Sequence, residues 1–291
     1  MRNEGPFIVE WVTWYRMLGF TDIVIVTNNC ADRSPELLDA LQAAGWVHHL
    51  RRNIAAGLSI TPRKLIAAKR HPAVRSAQWL MVCDVDEFLV IHKGSGQIHE
   101  LIGKELGDVP FLAMALNWRV FGTGGIKRFH DRPVHQQFVY GLPLARSLSG
   151  HVKMLHRQPR WFRHLGEHGP RKWDLARYNR SPSDPGMTLV NAKGTVVPDW
   201  NPDGPYLRRL TSGFATHDVA QMNHYMLRSQ ESFSLKYGTR APVSLNLRYT
   251  DTYRRRAEAE PEPDSSAFRY AEAFSALHAT AMALPDVARL H

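Results

Sequence analysis

The sequence predicts an α/β fold, a Rossmann-like, mostly parallel sheet flanked by helices. Apolar runs such as DIVIVT (residues 22–27) and QWLMVC (78–83) are continuous, as strands covered on both faces require. Segments of helical periodicity alternate with these runs through short connections, which is how parallel strands are joined. With 44% hydrophobic and 22% charged residues over 291 positions, the chain can bury a full core, so disorder and coiled coil drop out.

The elements follow in order. Phe7, Ile8, Trp11, Val12, Tyr15 and Leu18 recur at helical spacing over residues 6–18, with Pro6 in the first turn and Gly19 as the stop. DIVIVT is the next strand. Ser34 as N-cap, Pro35 at the first helical position, Leu37, Leu38 and Leu41, and Gly45 as terminator define a second helix. WVHHL (46–50) reads as a strand, 62–70 as a helix and QWLMVCD as a further buried strand. A helix is expected between Gln97 and Leu106, and strands over 110–122 and 134–142. Residues 157–215 are rich in Pro, Gly, Arg and Trp with little periodicity, as substrate-facing loops are. Ser229 is an N-cap for a helix through Phe233, Leu235 and Lys236 that ends near Gly238. EAEPEPDSS (258–266) reads as a linker and 267–283 as a terminal amphipathic helix, so that 1–257 forms the main domain and 258–291 an appendage.

The formal net charge of +10 attracts anions, a class that includes nucleic acid, membrane surfaces and phosphorylated small molecules. No nucleic-acid-binding signature accompanies it. The tight run Arg254-Arg255-Arg256 reads as a solvated face, with peripheral contact to a phosphate or membrane surface as the alternative. No apolar run approaches the roughly 18 residues of a membrane span, and MRNEGPFIVE lacks a signal-peptide layout. Two cysteines, Cys30 and Cys83, make no disulfide framework. A cytoplasmic protein is expected.

The stretch WLMVCDVDEFLV (79–90) places Asp84, Asp86 and Glu87 at the end of a buried strand. Unpartnered, such charges cost several kcal/mol each, so a cation, a proton or a hydrogen-bond network must compensate them. Spacing of two on an extended chain turns Asp84 and Asp86 to one side and Val85 to the core. Two such carboxylates can hold a hard divalent cation, or they can cap the amides of a turn. HLGEH (164–168) fits the H-x-x-E-H pattern of inverted zinc peptidases, but Gly166 inside it and Gly169-Pro170 after it argue against the helix that pattern needs. His224 in NHY is either a structural hydrogen-bonder or a ligand.

MRNEGPFIVEWVTWYRMLGFTDIVIVTNNCADRS, WLMVCDVDEFLVIH and QMNHYMLRSQESFSLK together resemble the bacterial glycosyltransferase family 2-like proteins of GT-A fold, a group similar also to glycosyltransferase family 92. The resemblance spans roughly residues 1 to 240. It implies a GT-A sheet with a nucleotide-binding half (1–92) and an irregular acceptor-side half (93–257). Asp84 and Asp86 would be the D-x-D that binds Mn²⁺ or Mg²⁺ and the donor's diphosphate, and His224 would complete the metal shell. Asn3 and Glu4 match the family's NE beside the nucleotide, and Asn28 to Asp32 its nucleoside-contacting loop, although many relatives carry Asp where Asn29 stands. Lys153 to Arg157 followed by GEH resembles a K…R…G-x-H segment, which makes Lys153 a donor contact and Glu167 or His168 a base or substrate ligand. Asp218 is a second candidate base. The implied activity is metal-dependent transfer, with inversion, of a sugar from a nucleotide donor such as a UDP-sugar to a glycan or other acceptor, without nucleic acid as partner. The alternatives are a basic nucleic-acid or anionic-surface binding protein, and a catalytically silent member of the fold. Relatives place an apolar strand immediately ahead of NE, so a displaced start and an upstream strand of about five to ten residues are expected.

Overall fold

The structure, a computed structural model, describes residues 1–103, 110–177, 188–239 and 249–291. It is a mixed α/β protein with an open sheet and flanking helices. Helix α1 (Gly5–Met17) leads through Gly19, in the left-handed region at φ +91, into β1 (Val24–Asn28). Then follow α2 (Ser34–Ala43), β2 (His48–Arg52), α3 (Ile60–Lys69), α4 (Pro72–Ser76), β3 (Trp79–Met81), β4 (Glu87–Ile91) and α5 (His99–Ile102). The second half holds β5 (Ala113–Val120), α6 (Val134–Gln137), β6 (Tyr140–Gly141), β7 (Val152–Arg157), β8 (Phe162–Leu165), β9 (Pro170–Trp173), β10 (Leu189–Asn191), β11 (Val196–Val197), β12 (Ala220–His224) and α7 (Gln230–Lys236). It closes with α8 (Asp251–Ala257), β13 (Glu262–Pro263), α9 (Ala271–Met282) and α10 (Val287–Leu290).

The main sheet has seven strands and is mixed. β5 runs parallel to β10 and β12 and antiparallel to β7, while β3–β7, β4–β12 and β10–β11 are antiparallel. β1 and β2 pair in parallel as a separate two-stranded sheet. Helix α1 is buried nearly all round because the sheet lies on one side and α9 on the other. Its polar atoms are satisfied there. Trp11 Nε1 and Tyr15 Oη donate to the Glu87 carbonyl at 3.1 and 3.0 Å, and Trp14 Nε1 to Leu89 at 2.9 Å, which pins the helix along β4.

Four expectations need correction. Residues 134–142 do not form one strand: the buried Glu10 carboxylate accepts from Val134 N (2.9 Å), His135 N (3.4 Å) and the His135 ring (2.8 Å), and so anchors the start of α6. Ser34 is the first residue of α2 and not its N-cap, because its hydroxyl accepts from Glu4 N (3.0 Å) and donates to Asp32 (2.7 Å). Residues 258–266 are no free linker, since β13 pairs with β6 and Asp264 takes an ion pair from Arg119 at 2.5 Å. Tyr270, Phe274 and Val287 bury in the main core, so 258–291 packs as part of the main body and the boundary at 257 separates nothing. Of the helix expected to reach Leu106, residues 104–106 lie outside the described ones.

Ser229 caps α7 as expected, its hydroxyl accepting from Ser232 N at 3.1 Å. Both cysteines are free. Arg254 forms ion pairs along α8 with Asp251 (3.6 Å) and Glu258 (2.9 Å), as a solvated helix face does. Among the described residues no helix is long and apolar enough to cross a membrane.

Candidate functional site

The chain between β3 and β4 turns tightly, and Glu87 closes the turn. Its carboxylate accepts from Asp84 N at 2.9 Å, while its own N–H donates to the Asp84 carbonyl at 3.1 Å. Val85 is thereby driven into the core, and Asp84 and Asp86 both line one cleft, as expected, though a turn and not the alternation of an extended strand directs them there. The compensation the sequence demanded comes from ammonium and imidazolium groups. Lys153 Nζ, 1% exposed on β7, sits 2.9 Å from both Asp84 Oδ2 and Glu87 Oε2. Asp86 lies 3.6 Å from His224 Nε2 and 3.6 Å from Lys236 Nζ.

These neighbours set the protonation states. Burial pushes the fully enclosed Glu87 carboxyl up to about 7, against the pull of Lys153. Burial would also raise Asp86, yet His224, Lys236 and Arg228 together hold it below the usual carboxylate range. Burial would lower His224, and the Asp86 charge outweighs it to raise the imidazole.

The cleft has a volume of about 2270 Å³ and gathers residues from the whole chain. Asn3, Glu4, Asn28, Asn29, Lys153, Glu167, His168 and His224 all line it with the two aspartates. Asn28 is buried with both side-chain amide atoms unpartnered, an arrangement that calls for a ligand or water. Asn3 and Asn29 both sit in the left-handed region, at φ 54 and 45, and spend their side-chain oxygens on Ala31 N (2.8 Å) and Ile54 N (3.0 Å). They shape the loop.

Two candidates fall outside the cleft. Asp32 ties the loop to α1, accepting from Ser34 N (3.1 Å) and Gly5 N (3.2 Å). Asp218 lies before β12, outside the cleft that His224 lines from the other end of the strand. It is exposed and paired with Lys193 at 2.6 Å, so its assignment as a base lacks the required proximity.

HLGEH lies on a hairpin, β8 and β9, with Gly166 to Gly169 at its tip. A Cβ at Gly166 would fall 2.4 Å from Tyr206 Oη, and one at Gly169 2.4 Å from Met154 Sδ, so the tight tip requires both glycines. The peptidase helix is absent, and His164 points from an exposed strand position. The tip presents Glu167 and His168 instead. Burial, then the Asp84 charge, raises the Glu167 carboxyl. His168 Nδ1 is 2.8 Å from the Val152 carbonyl and its N–H donates to Tyr206 Oη at 2.6 Å. Burial and the Lys153 charge push its imidazole down to about 4, so it is neutral at pH 7.

Sequence reasoning missed Arg228 and Trp118. Arg228, 3% exposed at φ 57, reaches Glu4 Oε2 at 2.9 Å and lies over the Phe7 ring at 3.4 Å, so it locks the Asn3-Glu4 segment beside the Asp84–Asp86 turn. Its position one residue before the Ser229 cap was the available signal. Trp118, near the end of β5, stacks with His151 at 4.9 Å and meets His224 edge-on at 4.3 Å, with its buried Nε1 unpartnered.

Among the described residues no three His, Cys, Asp or Glu side chains converge as a formed metal site. The donor chemistry nonetheless fits: two carboxylates and one imidazole share the cleft wall, and the buried His224 Nδ1 has no partner. No protein-family model matches this chain, and a search of curated proteins returns no match.

Proposed function

We propose that the protein is a GT-A-type, metal-dependent glycosyltransferase that moves a sugar from a nucleotide donor such as a UDP-sugar to a glycan-type acceptor with inversion. One observation carries the reading: residues 3–4, 28–29, 84–86, 167–168 and 224, far apart in sequence, meet on one cleft whose charged groups alternate in sign. A basic surface for nucleic acid has no need of buried carboxylates.

In this reading Asp84, Asp86 and His224 would hold Mn²⁺ or Mg²⁺, which when bound neutralises charge on the leaving diphosphate. Asn28 supplies the unpartnered amide for the nucleoside, and Arg228 keeps Glu4 in place beside it. Glu167 is the base. Its raised carboxyl stands closer to the operating pH than an ordinary glutamate, which favours proton uptake from the acceptor hydroxyl. That oxygen bonds to the anomeric carbon as the carbon–diphosphate bond breaks, the bond's electrons leave with the diphosphate, and the proton ends on Glu167. Trp118 and His151, stacked on each other at 4.9 Å, form the cleft wall against which the acceptor packs.

Calorimetric titration of UDP with and without Mn²⁺ tests the reading. Binding is expected to require Mn²⁺ and to be lost in Asp86→Ala, while that variant keeps the parental circular dichroism. UDP binding indifferent to metal, or salt-sensitive oligonucleotide binding in its place, would refute it.

A further inference from the structure

A second, smaller cavity lies behind α4. Ala73 and Val74 of that helix line the cleft, whereas Pro72 and Arg75 line the cavity, together with Ser76, Arg160 and Arg177. Its volume of about 620 Å³ falls within the roughly 300–1,000 Å³ of a small-molecule site. The walls rest on braced backbone. Pro72 stands in the first turn of α4 and Pro159 in the first turn of the short 3-10 segment Pro159–Trp161, where each ring fixes its own φ. Arg75 N donates to the His71 carbonyl at 3.0 Å, Trp161 N to Gln158 at 2.9 Å and Gln158 N to Gln78 at 2.8 Å. Two turns that pack on each other therefore present Arg75 and Arg160 to one space.

The charges around this space are unbalanced. Among the described residues Arg177 has one carboxylate partner, Asp174 at 3.3 Å, and Arg75 and Arg160 have none. Lys69, at the end of α3, adds to the crowding: burial first, and then the Arg177 charge, lower its ammonium by more than Asp174 offsets. Like charges held together in a concave wall concentrate an anion there. The polar groups on offer are donors. Each guanidinium is a planar fork of N–H groups that matches phosphate oxygens two at a time, while the Ser76 hydroxyl spends its proton on the Pro72 carbonyl at 3.0 Å.

We infer that the cavity walled by Arg75, Arg160 and Arg177 is a second binding site, separate from the carboxylate cleft, which takes the phosphate group of a phosphate monoester. A dianion answers the two arginines that lack a carboxylate, and its oxygens accept from their forks without needing a donor of their own. The concave shape and small volume suit one compact phosphate group, where a nucleic-acid duplex would need an extended basic face. The inference uses none of the residues of the catalytic reading and is independent of it.

The test is titration of the full chain with inorganic phosphate, followed through the amide NMR signals of Ser76 and Trp161, for the parent and for Arg75→Gln, Arg160→Gln and Arg132→Gln. Arg132 lines a different basic depression, so its variant lowers the net charge equally without touching the site. All three side chains are exposed, and no substitution removes a buried contact. The parent is expected to saturate with a dissociation constant of about 1 mM or below. Arg75→Gln and Arg160→Gln should each weaken binding at least about tenfold, and Arg132→Gln should leave it unchanged. Vesicles containing phosphatidic acid, added to the phosphate-loaded protein, identify the source: displacement assigns a lipid headgroup, and its absence a soluble phosphate ester. Signals of Ser76 and Trp161 that do not saturate, or equal weakening by Arg132→Gln, overturn the inference.

Discussion

Lys153 is expected to be the most costly single charge to remove. Its ammonium sits 2.9 Å from two carboxylates, and one of them, Glu87, has a side chain with no exposure to solvent. In Lys153→Met the packing volume is largely kept, but Glu87 loses its counter-charge. Breaking a buried pair in this way costs about 3–5 kcal/mol where the remaining carboxylate stays charged, so the loss is read well above the pH of about 7 at which Glu87 titrates beside Lys153. Asp84 adds little to that loss, since its side chain is 63% exposed and water can solvate it. For a chain of this size the loss corresponds to a melting temperature lower by about 6–12 °C. Urea unfolding of the parent, Lys153→Met, Glu87→Gln and the double variant at pH 9.5 measures the coupling. The double variant should recover most of the stability, because the introduced amide oxygen can still accept from Asp84 N. The sign with pH follows from Glu87. A carboxyl raised by burial costs stability above its unfolded pKa, and below about 7 it is protonated with or without Lys153, so the Lys153→Met deficit should shrink between pH 9.5 and 6. A deficit under about 1 kcal/mol at pH 9.5, or a double variant no better than the single, would refute the reasoning.

Glu167→Gln is expected to lower turnover on the order of 10² to 10⁴ with donor affinity nearly unchanged, as removal of a base does, while Asp218→Asn stays near the parent. Near-parental turnover in Glu167→Gln removes it as the base, and a loss with Asp218→Asn contradicts its position beyond the cleft. His156 gives a pH signature unconnected to activity. It is 1% exposed, and burial pushes its imidazole down to about 4, so the unfolded chain binds a proton that the native state refuses. Stability should therefore fall as pH drops from about 6.5 to 4, by about 3 kcal/mol from this group. His156→Gln should flatten that part of the urea-unfolding profile, and an unchanged slope would exclude His156 as its source.

The sequence by itself determined the elements whose signals are local. Trp11, Val12 and Tyr15 at helical spacing, the Ser229 cap and the apolar DIVIVT run each specify their backbone within a few residues, so α1, α7 and β1 were legible. That Asp84 and Asp86 meet on one side was legible, but a turn over residues 85–86 closed by Glu87, and not strand alternation, brings them together. What lay beyond it was set by distant partners. Glu10 turned an apparent strand at 134–137 into a helix from 124 positions away, and Arg119 held down the segment read as a linker. Lys153 became the counter-charge of Glu87, Arg228 the clamp on Glu4, and Asp218 was carried to the far end of β12 from His224. Spacing along the chain fixes which way neighbouring side chains point, but which charge meets which across 66 or 224 positions is decided only when the sheet brings the strands together.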